Sequence, residues 1–179
     1  SIKNDGWAVL NADDEYCLKI AKELECNIAY FSLDENQPHV QALSKAGKIV
    51  AVYENGYVTI KKGDWKIRIE RVTQIPLTVG GKAKFMIANA LAATLAGYLT
   101  GFNSEDLSLS LQTFIPSAAQ TPGRLNIFNF KNFQVMIDFA HNPKGYMAIE
   151  DFLSNVDSPH KIGIIAGVGD RRDEDIKEC

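Results

Sequence analysis

Cysteine is scarce in this 179-residue chain, which has only Cys17, Cys26 and Cys179. They form no Cys-x-x-Cys pair, and an odd count argues against both a disulfide framework and a thiolate zinc site. Reduced thiols in a cytoplasmic protein are the expectation. A long apolar run is missing as well, and so is a cleavable signal, so no membrane partner is expected. There is no excess of positive charge: 19 Lys and Arg against 22 Asp and Glu leave a net charge of −3. That weighs against nonspecific nucleic-acid binding, which favours a basic stripe. A small anionic ligand needs only a few local donors and is not excluded. The Gly-x-x-x-x-Gly-Lys-Ser/Thr phosphate loop occurs nowhere, and neither does an internal repeat, a low-complexity tract or a Ser/His/Asp arrangement.

What remains is an ordinary globular composition, 46% hydrophobic and 23% charged. That is enough to bury one large core or two small ones. Residues 7–10 read as a strand, 15–25 as a helix with Leu18, Ile20, Ala21 and Leu24 on its apolar face, and 27–33 as a second strand. This is a β-α-β opening with a right-handed parallel crossover. A polar loop follows at 34–38. From 48 to 75 apolar and polar residues alternate, with turn chemistry at Glu54-Asn55-Gly56 and Lys62-Gly63-Asp64. The spacing predicts an antiparallel meander on one edge of the parallel sheet.

Residues 80–102 are rich in alanine and nearly uncharged after Lys84. They predict a long, largely buried helix closed by Gly101. Asn103 or Ser104 can cap the next helix, about 105–114. The stretch "PSAAQTPG" at 116–123 reads as a linker and a domain boundary. Strands at 125–130 and 133–138, a helix from Pro143 to about Asn155 and a strand at 161–166 predict the start of another α/β sheet. The chain opens almost directly into a strand and stops inside a helical pattern that begins near Asp173. Both ends predict a piece of a longer polypeptide.

The stretch "IDFAHNP" at 137–143 places Asp138 and His141 at the end of an apolar strand, read as buried. Ligands of open α/β sheets sit outside such carboxyl ends. A carboxylate there can accept from ribose hydroxyls, and an imidazole can pack on a nucleotide. Alternatively, Asp138 caps the following turn and His141 is a surface residue. Arg124, just before the strand, has the planar fork that suits phosphate, or is simply solvated. Asn89 lies mid-helix among Ala and Leu, where it bonds backbone or reads the edge of a base. Asn11-Ala-Asp-Asp14 suits a helix cap. The loop "GVGDRRDED" at 167–175 combines two glycines with Arg171 and Arg172, but Gly-x-Gly alone is a weak phosphate signal. His39 and His160 sit in polar loops without ligand-like neighbours.

Taken in order, "AVLNADD" (8–14), "FMIANALAA" (85–93), "PGRLNIF" (122–128), "IDFAHNPKGY" (137–146) and "GDRRDED" (169–175) resemble the Mur ligase family. Within it they are most similar to the branch that builds cyanophycin, an aspartate polymer with arginine branches. The resemblance spans nearly the whole chain, and "GRLN", "DFAHNPKGY" and "GDRRDED" are its specific part.

The resemblance implies an α/β fold: part of a P-loop-type central ligase domain, with a mixed sheet and antiparallel meander, then the start of a Rossmann-like C-terminal domain. Residues 1–117 would be the C-terminal part of the first and 118–179 the beginning of the second, with the linker as hinge. It implies an ATP-dependent amide ligase that works through an acyl phosphate and joins arginine to aspartate side-chain carboxylates of the polymer. Mg²⁺ would be required, with its ligands, the phosphate loop and a carbamylated lysine upstream of residue 1. Asn89 matches the residue that contacts adenine, Arg124 the phosphate arginine, and Asp138 the ribose aspartate, with His141 beside it. Asp170 and Arg171 match a loop near the incoming amino acid. Phe85-Met86 stand where several members carry a His-Asn pair, so adenine recognition would rest more on Asn89. The family also implies possible homo-oligomers in the full-length protein. Two other readings stay open: a murein-precursor or folylpolyglutamate-type ligase, and a noncatalytic paralogue that binds nucleotide or a partner.

Overall fold

The structure is a computed structural model and describes residues 2–165. The chain divides into two compact units between Phe114 and Ile115.

In the first unit, β1 (Trp7–Asn11), β2 (Asn27–Ser32) and β3 (Val50–Glu54) run parallel, and β4 (Tyr57–Lys62) and β5 (Trp65–Arg71) continue the sheet antiparallel in the order β1-β2-β3-β4-β5. The meander is therefore fused to the parallel part through β3, which belongs to both. Asn55 and Gly56 turn β3 into β4 with φ of 49° and 84°. Two positive φ values match the twist of a tight hairpin, which is why Asn-Gly stands there.

Alternation along each strand sends side chains to opposite faces and makes two cores. Ala29, Ala51, Val58, Ile60 and Ile69 face α3 (Lys84–Leu99), whose Ile87, Leu91 and Leu95 are buried against them. Ile28, Tyr30, Val50 and Val52 face the other way, toward Leu18 of α1 (Glu15–Ile20) and Val40 of α2 (Pro38–Lys45). Each such aliphatic side chain, once fully buried, contributes about 1.5–3 kcal/mol. Burial also pushes the Tyr30 phenol up.

Several boundaries differ from the sequence expectation. Helix α1 ends at Ile20, and the chain winds on by i→i−3 bonds, Lys22 to Lys19 and Glu23 to Ile20. Glu23 and Glu25 would oppose the helix dipole at that end. Helix α3 starts at Lys84 rather than 80, because Val79, Gly80 and Gly81 all have positive φ. Helix α2 has no counterpart in the sequence reading; Pro38 opens it at a position where proline is favoured. His39 thus lies on a helix, and its Nε2 is 2.8 Å from the Ala12 carbonyl. Helix α4 (Ser104–Thr113) is capped by Asn103, whose side chain accepts from the Asp106 amide.

The second unit holds an antiparallel hairpin, β6 (Asn126–Asn129) and β7 (Gln134–Ile137), and then α5 (Pro143–Ser154). Strand β7 is not buried: Val135 and Ile137 are 38% and 51% exposed. Among the described residues, no second layer covers that face of the two-stranded ribbon. Residues 161–165 form no strand, and Ile164 is 97% exposed, since no described strand takes up their backbone bonds. No described helix is long and apolar enough to cross a membrane.

Candidate nucleotide-binding residues

In the second unit, Asp138 follows directly on β7 and Arg124 lies two residues before β6, so the antiparallel pairing of Asn126 with Ile137 brings the two stretches together. Two hydrogen bonds clasp them. The Leu125 amide donates to Asp138 Oδ2 at 2.8 Å, and the Phe139 amide donates to the Gly123 carbonyl at 2.7 Å. Between these bonds the chain turns through Gly123 (φ 67°) and Leu125 (φ 48°), with Arg124 at the tip. A leucine in left-handed backbone is uncommon and needs outside support. Here the side chain is buried, at 4% exposed, and the amide is held by Asp138.

Asn126 closes the turn from within. Its Oδ1 accepts from the Gly123 amide at 2.8 Å, while Nδ2 donates to the Thr121 carbonyl at 3.0 Å. This asparagine is 5% exposed and fully engaged, so its role is to fix the loop.

Asp138 therefore does not cap the turn that follows it. That role falls to Asn142, whose Oδ1 accepts from the Gly145 amide at the start of α5. Asp138 reaches back 13 residues instead. No described group donates to its other oxygen, which leaves it an acceptor for a ligand hydroxyl. His141 Nδ1 lies 2.8 Å from the Phe139 carbonyl. A carbonyl only accepts, so Nδ1 carries a proton and donates in this arrangement. The Phe139 ring lies 5.2 Å from the His141 ring and 5.7 Å from the Arg124 guanidinium carbon. Arg124, Asp138 and His141 thus form one connected group, with Phe139 between the two basic side chains. Sequence reading passed over Phe139, whose signal would have been an aromatic residue set between a carboxylate and a histidine.

Asn89 belongs to the first unit, on α3. It is exposed rather than buried, so its amide has no desolvation cost to offset, and among the described residues its side chain makes a weak bond to Met86 Sδ at 3.5 Å. It stays available for an outside partner. Asp170 and Arg171, with the rest of the loop at 167–175, lie outside the described residues.

The acids of 11–14 are structural. Asp14 accepts from the Tyr16 and Cys17 amides and caps α1. Asp13 accepts from Ser32 Oγ at 2.6 Å, the Leu33 amide at 2.8 Å and Gln37 Nε2 at 3.3 Å, which ties the ends of β1 and β2 together. Elsewhere in this unit Glu54, 3% exposed, is ringed by Lys66 at 2.8 Å and by Lys61 and Arg68, each at 3.5 Å. Burial would push its carboxyl up, but the hydrogen bond and charge of Lys66, with the charge of Lys61, bring it down to about 2.

Among the described residues no group of three or more His, Cys, Asp or Glu could hold a metal ion. These residues do not fit a magnesium site. The group around Arg124 offers charge, hydrogen-bond acceptors and flat surfaces; it holds no nucleophile paired with a base.

No protein-family model matches the chain. It is 50% identical over 175 residues to a cyanophycin synthetase of Trichormus variabilis, covering 98% of this chain and 19% of that protein. It is 31% identical over 146 residues to a UDP-N-acetylmuramate--L-alanine ligase of Acetivibrio thermocellus, covering 79% of this chain and 28% of that protein. A solved structure of UDP-N-acetylmuramoyl-L-alanyl-D-glutamate--2,6-diaminopimelate ligase overlays 93% of this chain and 32% of that one, with a TM-score of 0.48 and 19% identity. At that score the overlay carries no weight, and the sequence relatives do. The chain spans about a fifth of the length of the cyanophycin synthetases it matches.

Proposed function

The chain belongs to the Mur ligase family of ATP-dependent ligases, and from that premise we propose that it serves in an enzyme joining arginine to the side-chain carboxylates of an aspartate polymer. The observation that carries this reading is the 50% identity to a cyanophycin synthetase, which runs through 98% of the chain. In the proposed reaction a carboxylate oxygen takes the terminal phosphoryl group of ATP, releasing ADP. The arginine amine then attacks the acyl carbon, the C–O bond breaks, phosphate leaves and the amine proton passes to solvent or a base. This chain's own residues bind nucleotide rather than make bonds. Arg124 would meet phosphate, Asp138 would accept from ribose hydroxyls through its outer oxygen, and His141 would lie beside them. Asn89 would contribute to adenine recognition from the first unit, and Asp170 and Arg171 would lie near the incoming amino acid. Residues 1–117 would be part of a central ATPase domain and residues 118–179 the beginning of a C-terminal domain. The setting would be cytoplasmic, and the full-length enzyme is a candidate homo-oligomer. Magnesium would be held by ligands outside the described residues.

The test is ADP release by the full-length protein. Release that requires both arginine and an aspartate polymer supports the proposal. A requirement for a UDP-linked muropeptide or a folylpolyglutamate acceptor would replace the substrate assignment, and nucleotide binding without turnover on any acceptor would favour a noncatalytic role.

A further inference from the structure

Phe139 is 55% exposed, so it does not serve to fill a core. Its amide closes the turn that carries Arg124 by donating to the Gly123 carbonyl at 2.7 Å. Its ring lies 5.7 Å from the Arg124 guanidinium carbon, within cation–π range. On its other contact it meets the His141 ring at 5.2 Å, and its carbonyl fixes that ring through Nδ1.

The backbone around Arg124 is fixed independently. The Arg124 amide donates to the Thr121 carbonyl at 3.1 Å, and the neighbouring Leu125 and Gly123 amides are bound by Asp138 and Asn126. What these backbone bonds leave unfixed is the long side chain, and an unrestrained arginine loses rotamer freedom when it meets a phosphate. A flat ring that already holds the guanidinium lowers that loss, because part of the ordering precedes binding. A leucine at 139 would cover similar area but offer no π face.

We propose that Phe139 is a positioning residue that holds the Arg124 guanidinium ready for the phosphates of ATP. This rests on the ligase reading above. The test uses the full-length enzyme and compares kcat/KM for ATP in Phe139→Leu, Phe139→Tyr, Arg124→Ala and the Phe139→Leu/Arg124→Ala double variant. Phe139→Leu should lower kcat/KM by about two- to fivefold, the size of one exposed cation–π contact. Phe139→Tyr should stay near wild type, and Phe139→Leu should have no further effect once Arg124 is alanine. A Phe139→Leu loss of equal size in both backgrounds overturns the proposal, as does a Phe139→Leu enzyme that matches wild type. An Arg124→Ala enzyme with unchanged kcat/KM overturns it together with the phosphate role of Arg124. Absence of ATP-dependent ligation in the wild-type protein is a different failure and removes the ligase reading itself.

Discussion

The Leu125 amide donates to Asp138 Oδ2 across 2.8 Å, so the carboxylate proposed to bind ribose also supports a left-handed leucine next to Arg124. One oxygen holds the protein together and leaves the other for a ligand. Loss of Asp138 therefore has two separable consequences, one for folding and one for nucleotide.

Asp138→Ala leaves a buried backbone N–H without an acceptor, which costs about 1–3 kcal/mol. Asp138→Asn keeps an acceptor oxygen of similar reach and should cost less than about 1 kcal/mol. Urea unfolding of the 179-residue chain checks the difference. Equal losses in the two variants would mean that the bond to Leu125 does not support the turn.

Glu54 is one of two described carboxyls, with Glu70, that the first unit holds below the ordinary range, and it shapes the acid response. Its carboxyl lies at about 2 in the folded chain against an ordinary 4.5, so the unfolded chain binds its proton more readily. The stabilisation is complete above the unfolded value and falls away as pH drops from about 4.5 toward 2, for a total on the order of 2–3 kcal/mol. The chain should lose urea resistance steeply in that window, and Glu54→Gln should flatten the loss while lowering stability at neutral pH. An unchanged acid profile in Glu54→Gln would place the titrating group elsewhere.

Thr59 presents the opposite case. Its side-chain oxygen is buried without a hydrogen-bond partner among the described residues, and the residue pairs with Val52 on β3, itself 1% exposed. Valine has nearly the same shape and no hydroxyl to desolvate. Thr59→Val should raise stability by about 1 kcal/mol, read as a higher urea midpoint at unchanged slope. A lower midpoint would show that the hydroxyl has a partner, such as a bound water.

The parts of the fold that were legible in the sequence are those set locally. Asn55-Gly56 and the alternation around it place β3 and β4, Asn103 caps α4, and the apolar, nearly uncharged composition of α3 announces a buried helix. The misplaced parts depend on context. Val135 and Ile137 look like core by composition, but burial is decided by a second layer, and none is described over them. Residues 161–165 have a strand's composition without a described neighbour. Asn89 looked costly because its sequence neighbours are apolar, whereas on a helix the residue's direction decides, and it points outward. For the candidate site, Arg124, Asp138 and His141 were visible as reactive types in a suggestive order. The clasp at Leu125 and Phe139 was not, because it is made by backbone amides, with the Phe139 ring beside Arg124 and His141.

The last prediction concerns the isolated chain. Phosphoryl transfer depends on positioning the phosphates and neutralising their charge, chiefly by a phosphate loop and a metal ion. The sequence contains no Gly-x-x-x-x-Gly-Lys-Ser/Thr, and the described residues hold no cluster able to bind a metal. Arg124 supplies one positive charge, and neither Asp138 nor His141 is placed against a nucleophile. Nucleotide contacts of this kind can lower the energy of bound ATP without lowering its barrier further, which is binding rather than catalysis. The 179-residue chain by itself should therefore release no ADP above a protein-free blank, with or without arginine and aspartate polymer. Turnover above the blank that disappears in Arg124→Ala would show that this chain carries a phosphate-activating centre of its own.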